Sequence, residues 1–485
     1  MKYGIFFLLF AMTSSFFFQG CQQTDEIPVP LSPADTIPHI SVSTGLLSPT
    51  FDPSITEYHV TSLNILQTFE VSVEGVVDST IFINGQQSTS LSSVRLHKGQ
   101  DLVIQAKNHR GELLEYTIHY LPKDFPDTHV VYNTNTTNGY TFVNFPSTLE
   151  DLGYIAMLDE EGFPLYYKKE HPQARNLQYF ELPNGTKRFT YNIRNDKVVV
   201  MNERFEVIDE LRLLPHNGHE GYPPGSHDFM LLDEDHYLIQ AYVTREDVDL
   251  TALGGQPSVD LVELVFQEIK DGQVIFEWNS ADHPELLSAT DDVYFARYAT
   301  EPVVDYFHFN SFTIDPKDNH FIISARHMNQ VYKIHRTTGE ILWRLGGKTD
   351  EFQLDESQQI SHIHHSTITP SGTMLIFDNG NTKSLQETRV IEFQLDEVNK
   401  TATTVWEYRE PGRYTSFMGS AQRLSNGHTL IGWGGNRTSQ INANKSDFTE
   451  VDQNGNIVLD VSFTNQPNRN FFTYRAIRYT FDLMQ

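Results

Sequence analysis

Three histidines stand within four positions at His362, His364 and His365, in "SHIHHSTITPSGTMLIFDNGN". A Gly-containing turn and an apolar run follow at once. The same order occurs twice more: His227 precedes "FMLL" in "GSHDFMLLDEDHYLI", and His308 precedes "FNSFTI" in "DYFHFNSFTI". Arg326 ends the strand-like run after His308, in "FIISARHM". Neutral imidazole is a competent nucleophile or proton carrier near pH 7, and a guanidinium forks onto two oxygens of an anionic group. Together they fit attack on an anionic centre with the charge held by Arg326. The same histidines also fit a metal site completed by Asp228 or Asp305. Against that, Arg326 opposes a divalent cation, and no short ligand spacing such as H-x-x-x-H recurs. A third reading is a non-catalytic surface that binds carbohydrate or protein, in which case the histidines need not converge. His216, His219, His236, His320, His327, His335 and His428 read as ordinary hydrogen-bonded residues of turns and strand ends.

The elements that must carry these residues are strands. From about residue 123 to 485 the unit is a strand, a turn with Asp, Asn or Gly, and a second apolar strand, as in "SFTIDPKDNHFIISAR" and "AQRLSNGHTLIGWGGN". Hairpins such as "VYKIHRTTGEILWRLGG" lie between them, and no amphipathic helix is visible. Repeated four-stranded units of this kind predict a β-propeller, whose inner strands line one channel. Equivalent histidines on successive units then meet at its mouth. "HNGHEGYPPG" at 216–225 reads as an irregular loop ahead of His227 that covers the site. Trp343 in "LWRLGG" reads as packing between units, and Asp378 and Asn379 either orient the histidines or cap a turn.

Residues 38–122 carry shorter alternating segments ("TFEVSVEG", "DLVIQAKN", "EYTIHYLP"), the pattern of a small β-sandwich. Within it, "GLLSPTFDPSITEYHV" and "LLEYTIHYL" resemble cadherin-like or immunoglobulin-like modules, which implies support or spacing. Residues 1–20 have a basic start and an apolar run of secretory-signal length. "FQGC" resembles a bacterial lipoprotein signal, which implies lipidation of Cys21 and a tether at 21–37. The expected location is the outer membrane, anchored through that lipid, with the face left open. Cys21 is the only cysteine, so no internal disulfide can form. A net charge of −28, from 63 acidic and 35 basic residues, excludes a nucleic-acid partner. It also means that any anion must be received by local positive groups.

"DYFHFNSFTIDP" with "FIISARHMNQVYKIHRTTGEILWRLGG" and "IHHSTITPSGTMLIFDNGN" resembles the bacterial arylsulfotransferases that use no nucleotide donor. The likeness runs over most of 123–485 and is strongest from 300 to 435. It implies an all-β chain with a six-bladed β-propeller preceded by the small β-sandwich. It also implies transfer of a sulfuryl group from an aryl sulfate to a phenolic acceptor through a sulfohistidine, with no cofactor and no metal. Carried over residue by residue, the catalytic set is His364, His308, Arg326 and His227. Counting back from Phe377 and Gly372 lands on His364, with His365 next to it leaving a one-residue ambiguity. Tyr306, Phe307 and Phe309, beside the motif, either stack on the phenol ring or pack between units, and Tyr306, Phe309, His362 and His365 make up the expected substrate lining. Read as extended, the segment puts His362 and His364 on one face and turns His365 away.

Overall fold

The computed structural model describes residues 38–42, 47–60, 62–64, 68–95, 100–134, 136–146, 153–435, 445–464 and 471–483. The segments read as a leader and a tether, with Cys21, lie outside these residues. Those described are nearly all strand and turn.

Residues 39–119 form two sheets. One orders His39–Val42, Thr68–Glu74 and Leu91–Arg95. The other runs Leu47–Ser48, Glu57–Val60, Leu113–His119, Leu102–Lys107, Phe82–Ile83 and Gln86–Gln87. In Leu102–Lys107 the alternating Leu102, Ile104 and Ala106 are buried, as a strand with one wet face requires. This unit is not a loose spacer. Ser62–Asn64 pairs with Pro164–Glu170, in a sheet of the following region. The Tyr167 hydroxyl donates to the carbonyl of Tyr120 at 2.7 Å, and the Tyr120 hydroxyl donates to that of Pro164 at 3.0 Å. Phe125 packs among Phe145, Tyr154 and Tyr167.

Beyond residue 127 the strands assemble into six sheets of four or five strands. The first holds Ile477–Tyr479, Tyr140–Phe145, Gly153–Leu158, Pro164–Glu170 and Ser62–Asn64. The second holds Ala174–Glu181, Lys187–Ile193, Lys197–Met201 and Val207–Leu211. The third holds Met230–Asp233, His236–Val248, Val259–Lys270 and Gln273–Asn279, joined in parallel by Val303–Asp305. The fourth is Phe309–Ile314, Phe321–Ala325, Gln330–Ile334 and Ile341–Leu345. The fifth is His365–Ile368, Met374–Asp378, Arg389–Asp396 and Thr401–Arg409. The sixth is Ser420–Arg423, Thr429–Gly432, Phe448–Val451, Ile457–Phe463 and Thr128–Asn133.

Each sheet packs on the next. Phe142 meets Phe189 between the first and second sheets, Phe266 meets Phe321 between the third and fourth, and Phe377 meets Trp433 between the fifth and sixth. Trp343 is buried between the fourth and fifth, where its indole N–H donates to Glu397 at 3.0 Å. A strand covered on both faces reads as an unbroken apolar run, and Phe321–Ala325 and Met374–Asp378 are buried throughout. The outer strand Thr401–Arg409 alternates with mostly exposed positions instead. The ring closes twice. Thr128–Asn133 completes the last sheet beside Ile457–Phe463, and Ile477–Tyr479 begins the first beside Tyr140–Phe145.

Two expectations change here. Leu286–Ala289 and Asp292–Phe295 are helical, each a single turn and too short to show a helical period in sequence. The loop at 216–225 is pinned outward: His219 and Asn217 both bond Glu277 at 2.9 Å, on the outer strand of the third sheet. It therefore braces the rim and does not cover the histidines.

Candidate active site

One end of the first strand in each sheet faces the ring's centre, and the residues there meet. Arg175 comes from the second sheet, His227 from the third, His308 and Arg326 from the fourth, and His364 from the fifth. Gly419 comes from the sixth, and Tyr474 and Arg475 from the first. The ring of His227 lies 5.1 Å from that of His308 and 6.5 Å from that of His364, and His364 is 5.0 Å from Tyr474. His308, His362, Asn329 and Met418 all have positive φ, between 53 and 64°. Left-handed backbone at non-glycine residues is costly, and four of the fourteen such residues among those described stand at this site.

The tautomers follow from the partners. Nδ1 of His364 lies 2.8 Å from the carbonyl of Gly419. A carbonyl only accepts, so Nδ1 carries the proton and Nε2 carries the lone pair. Burial, with Arg475 next, holds the His364 ring neutral by pushing its pKa well below the usual value. His308 gives its Nδ1–H to the Asp305 carboxylate in a short hydrogen bond. His227 is also held neutral, by burial first and then by His308 and His364.

Arg326 is fixed on three sides. Its Nη1 donates to the Tyr294 hydroxyl at 3.2 Å and to Nε2 of His327 at 2.9 Å, and its Nη2 donates to the carbonyl of Ser416 at 2.8 Å. Five N–H bonds less three leaves Nε–H and one Nη2 hydrogen for a ligand. His327 in turn donates Nδ1–H to the carbonyl of Asp305 at 2.5 Å. Both its nitrogens are thus committed, and burial depresses its pKa. Asn379 donates to the carbonyls of Thr415 at 2.7 Å and Met418 at 3.1 Å. It therefore steadies the segment whose carbonyls hold Arg326 and His364. Asp378 holds the Ser361 N–H at 2.9 Å, just ahead of His362.

Sequence reasoning placed some residues wrongly. Tyr306 is buried with its hydroxyl on Ser280 at 2.9 Å, and Phe309 is buried against Phe312 at 4.5 Å. Both belong to the apolar core between the third and fourth sheets, as does Phe307. The rings facing the histidines are Tyr242, Tyr294 and Tyr474 instead. His362 and His364 do not share a strand face, because the strand begins only at His365 and His362 is left-handed. His362 lies 5.2 Å from Tyr294, and burial lowers its pKa to about 3. His365 is buried with Nδ1 at 3.1 Å from the carbonyl of Ala421, apart from the other rings. His327, read as an ordinary polar residue, is 4.5 Å from His308 within the cluster. Asp228 is saturated: Arg475, Asn176, Gln178 and two backbone N–H groups all donate to it. Asp305, His308 and His327 offer ligand atoms within 4.8 Å of one another, the one such group at the ring centre among the described residues. There, however, His327 accepts from a cation and His308 already binds the carboxylate.

A family model described as Arylsulfotransferase (ASST) matches residues 131–475. The chain belongs to the arylsulfotransferase family. Arylsulfate sulfotransferase AssT of Escherichia coli O6:H1 (strain CFT073) is 28% identical over 171 residues, covering 28% of this chain. The match spans 28% of that relative's length. Among solved structures, a protein of unknown function from Bacteroides caccae aligns with a TM-score of 0.42 at 10% identity, covering 70% of this chain and 98% of that one. The Cps50 (Swd1) β-propeller domain of Myceliophteria thermophila aligns at 0.37 and 10% identity, covering 68% and 88%. For a quinonprotein alcohol dehydrogenase-like protein of Bacteroides thetaiotaomicron the values are 0.36 and 10%, covering 89% and 98%.

Proposed function

We propose that this protein transfers a sulfuryl group from an aryl sulfate to a phenolic acceptor, with His364 as the group that carries it. The observation supporting this most directly is the bond from His364 Nδ1–H to Gly419, which leaves a neutral Nε2 in a buried site beside a partly unsatisfied guanidinium. In the first step Nε2 of His364 attacks sulfur, the S–O bond to the aryl oxygen breaks, and its electron pair leaves with the phenolate. His308 supplies the proton from Nε2, with Asp305 steadying its Nδ1–H. Arg326 meets the sulfuryl oxygens through Nε–H and Nη2–H, where charge develops as the bonds exchange. In the second step the acceptor hydroxyl returns its proton to His308 and its oxygen displaces Nε2 from sulfur. Two displacements at one nitrogen give ping-pong kinetics.

The six mutually packed sheets support a six-bladed β-propeller as the scaffold, and the two N-terminal sheets support a cadherin-like or immunoglobulin-like sandwich docked on its side. We also propose, from the leader sequence alone, that Cys21 is lipidated and holds the enzyme at the outer membrane. The test of the activity is transfer from 4-nitrophenyl sulfate to phenol, read as nitrophenolate release and phenyl sulfate formation. Turnover that survives chelator supports the reading. Turnover lost with chelator and restored by a divalent metal supports a metal hydrolase built on Asp305, His308 and His327.

A further inference from the structure

Of the groups at the six strand starts, the steps above use His308, Arg326, His364 and the Gly419 carbonyl, while Tyr474 is bonded to the His227 carbonyl and Arg475 is paired with Asp228. The second sheet contributes Arg175, for which none of the steps above has a use. Its guanidinium lies 5.6 Å from the Tyr474 ring, the ring that also packs on His364 at 5.0 Å. A bulge between Arg175 and Gln178, with left-handed Asn176 at φ 57°, breaks the strand register there. Bulges of this kind re-aim a side chain. Asn176 is held in place by Asp228 at 2.9 Å and by Arg475 at 3.0 Å.

Arg175 is placed but not satisfied. Nη2 donates to Gln173 at 2.8 Å, while its buried Nε has no partner. The backbone N–H of Arg194 donates to the carbonyl of that same Gln173, so a second arginine, exposed, stands at the same end of the sheet. Among the described residues no carboxylate pairs with Arg175, Arg194 or Arg326, whereas Arg475 is paired with Asp228 at 3.1 Å. In a chain of net charge −28, unpaired cations at one spot need a reason. Arg326 is buried and Arg175 half-buried, and a charge withdrawn from water is normally paired or meets a ligand. One aryl sulfate monoanion needs only Arg326, so positive charge is left over.

We propose that Arg175, with Arg194 outside it, forms a second anion subsite beside the reacting centre, and that the substrates are aryl sulfates and phenols bearing a carboxylate on the ring. Arg175 and His364 both border the Tyr474 ring, and the aromatic ring of the substrate is placed along it, with its sulfate at His364 and its carboxylate at Arg175. The proposal rests on the sulfuryl-transfer reading for its substrate class, and the subsite can be measured without turnover.

The turnover experiment compares 4-(carboxymethyl)phenyl sulfate with 4-methylphenyl sulfate, whose leaving groups are similar, in the full chain. The wild-type protein is expected to favour the carboxylated ester at least tenfold in kcat/KM, chiefly through KM. Arg175→Gln is expected to reduce that ratio at least tenfold, and Arg175→Lys to restore part of it. A wild-type ratio near one, or a ratio unmoved by Arg175→Gln, overturns the proposal. If neither ester turns over, the sulfuryl-transfer reading fails and calorimetric binding decides the subsite. 4-Hydroxyphenylacetate should then bind at least tenfold tighter than 4-methylphenol, with the difference lost in Arg175→Gln. Equal binding of the two phenols overturns the subsite as well.

Discussion

At the scale of single residues, the site depends on which nitrogen of each ring holds a proton, and backbone carbonyls set this more than neighbouring charges do. Gly419 is the clearest case. Its φ is 106°, and a Cβ there would lie 2.2 Å from the buried Phe377 ring. Gly419→Ala should therefore push the carbonyl off His364 and lower kcat on the order of 100-fold, a loss typical of a small misplacement of a reacting group. Steady-state kinetics with KM measured alongside will check it. His308 makes a different prediction. If it protonates the departing oxygen, Asp305→Asn should slow phenol release from phenyl sulfate by on the order of 100-fold and nitrophenolate release from 4-nitrophenyl sulfate far less, since nitrophenolate leaves unaided. Burst kinetics on the two donors separate these cases. The sequence exposed His227, His308, His364 and Arg326 because each sits next to an apolar strand in a repeated pattern. His327, Tyr294 and Arg475 gave no such signal. His327 follows Arg326 like any polar strand end, and Tyr294 lies in a patternless insertion. Arg475 reaches the centre only because the chain's last strand closes the first sheet. Tyr306 and Phe309 misled because an aromatic next to a site motif can equally be core.

At the scale of elements, the histidines set aside as ordinary turn residues have a structural use. Glu268, Glu392 and Glu450 each lie on the third strand of a sheet and bond an arginine of the next sheet: Arg336, Arg423 and Arg478. A side chain at the start of the second strand bonds the same carboxylate: His236 at 2.6 Å, Thr373, and His428 at 2.9 Å. Three of the six sheet-to-sheet junctions are thus cross-linked from the same third-strand carboxylate. The last link matters most, because Arg478 lies on the closing strand and also reaches Thr141 at 3.1 Å and the Thr137 carbonyl at 2.9 Å. Glu450→Gln leaves that guanidinium buried and without its counter-charge. It should cost about 3–5 kcal/mol, the range for breaking a buried pair, and appear as a lower unfolding midpoint in urea. The hairpins were legible because apolar runs and Asx or Gly turns are local signals. Ring closure was not, since it pairs residues more than 300 positions apart, such as Thr141 and Arg478.

At the scale of the whole molecule, acidity and buried imidazoles combine. His227, His327, His364 and His365 have pKa values well below 6.5, and His362 is lowered to about 3, in every case mainly by burial. Below pH 6.5 the unfolded chain binds these protons and the folded chain does not, so stability is full above that pH and falls as pH drops towards the folded values. Each ring contributes up to about 1.4 kcal/mol per pH unit across its window. Relief of repulsion in a chain of −28 works the other way. The five buried neutral rings predict that Tm falls between pH 7 and pH 5, and a rise on acidification would contradict the buried neutral cluster.

The central claim is that His364 carries the sulfuryl group, and intact-peptide mass spectrometry after a brief reaction with phenyl sulfate and no acceptor tests it most directly. The account predicts an added SO3 on the peptide containing residues 361–381, localised to His364, lost on adding phenol and missing from His364→Ala. An adduct on His365 or elsewhere, or full turnover by His364→Ala, would contradict it.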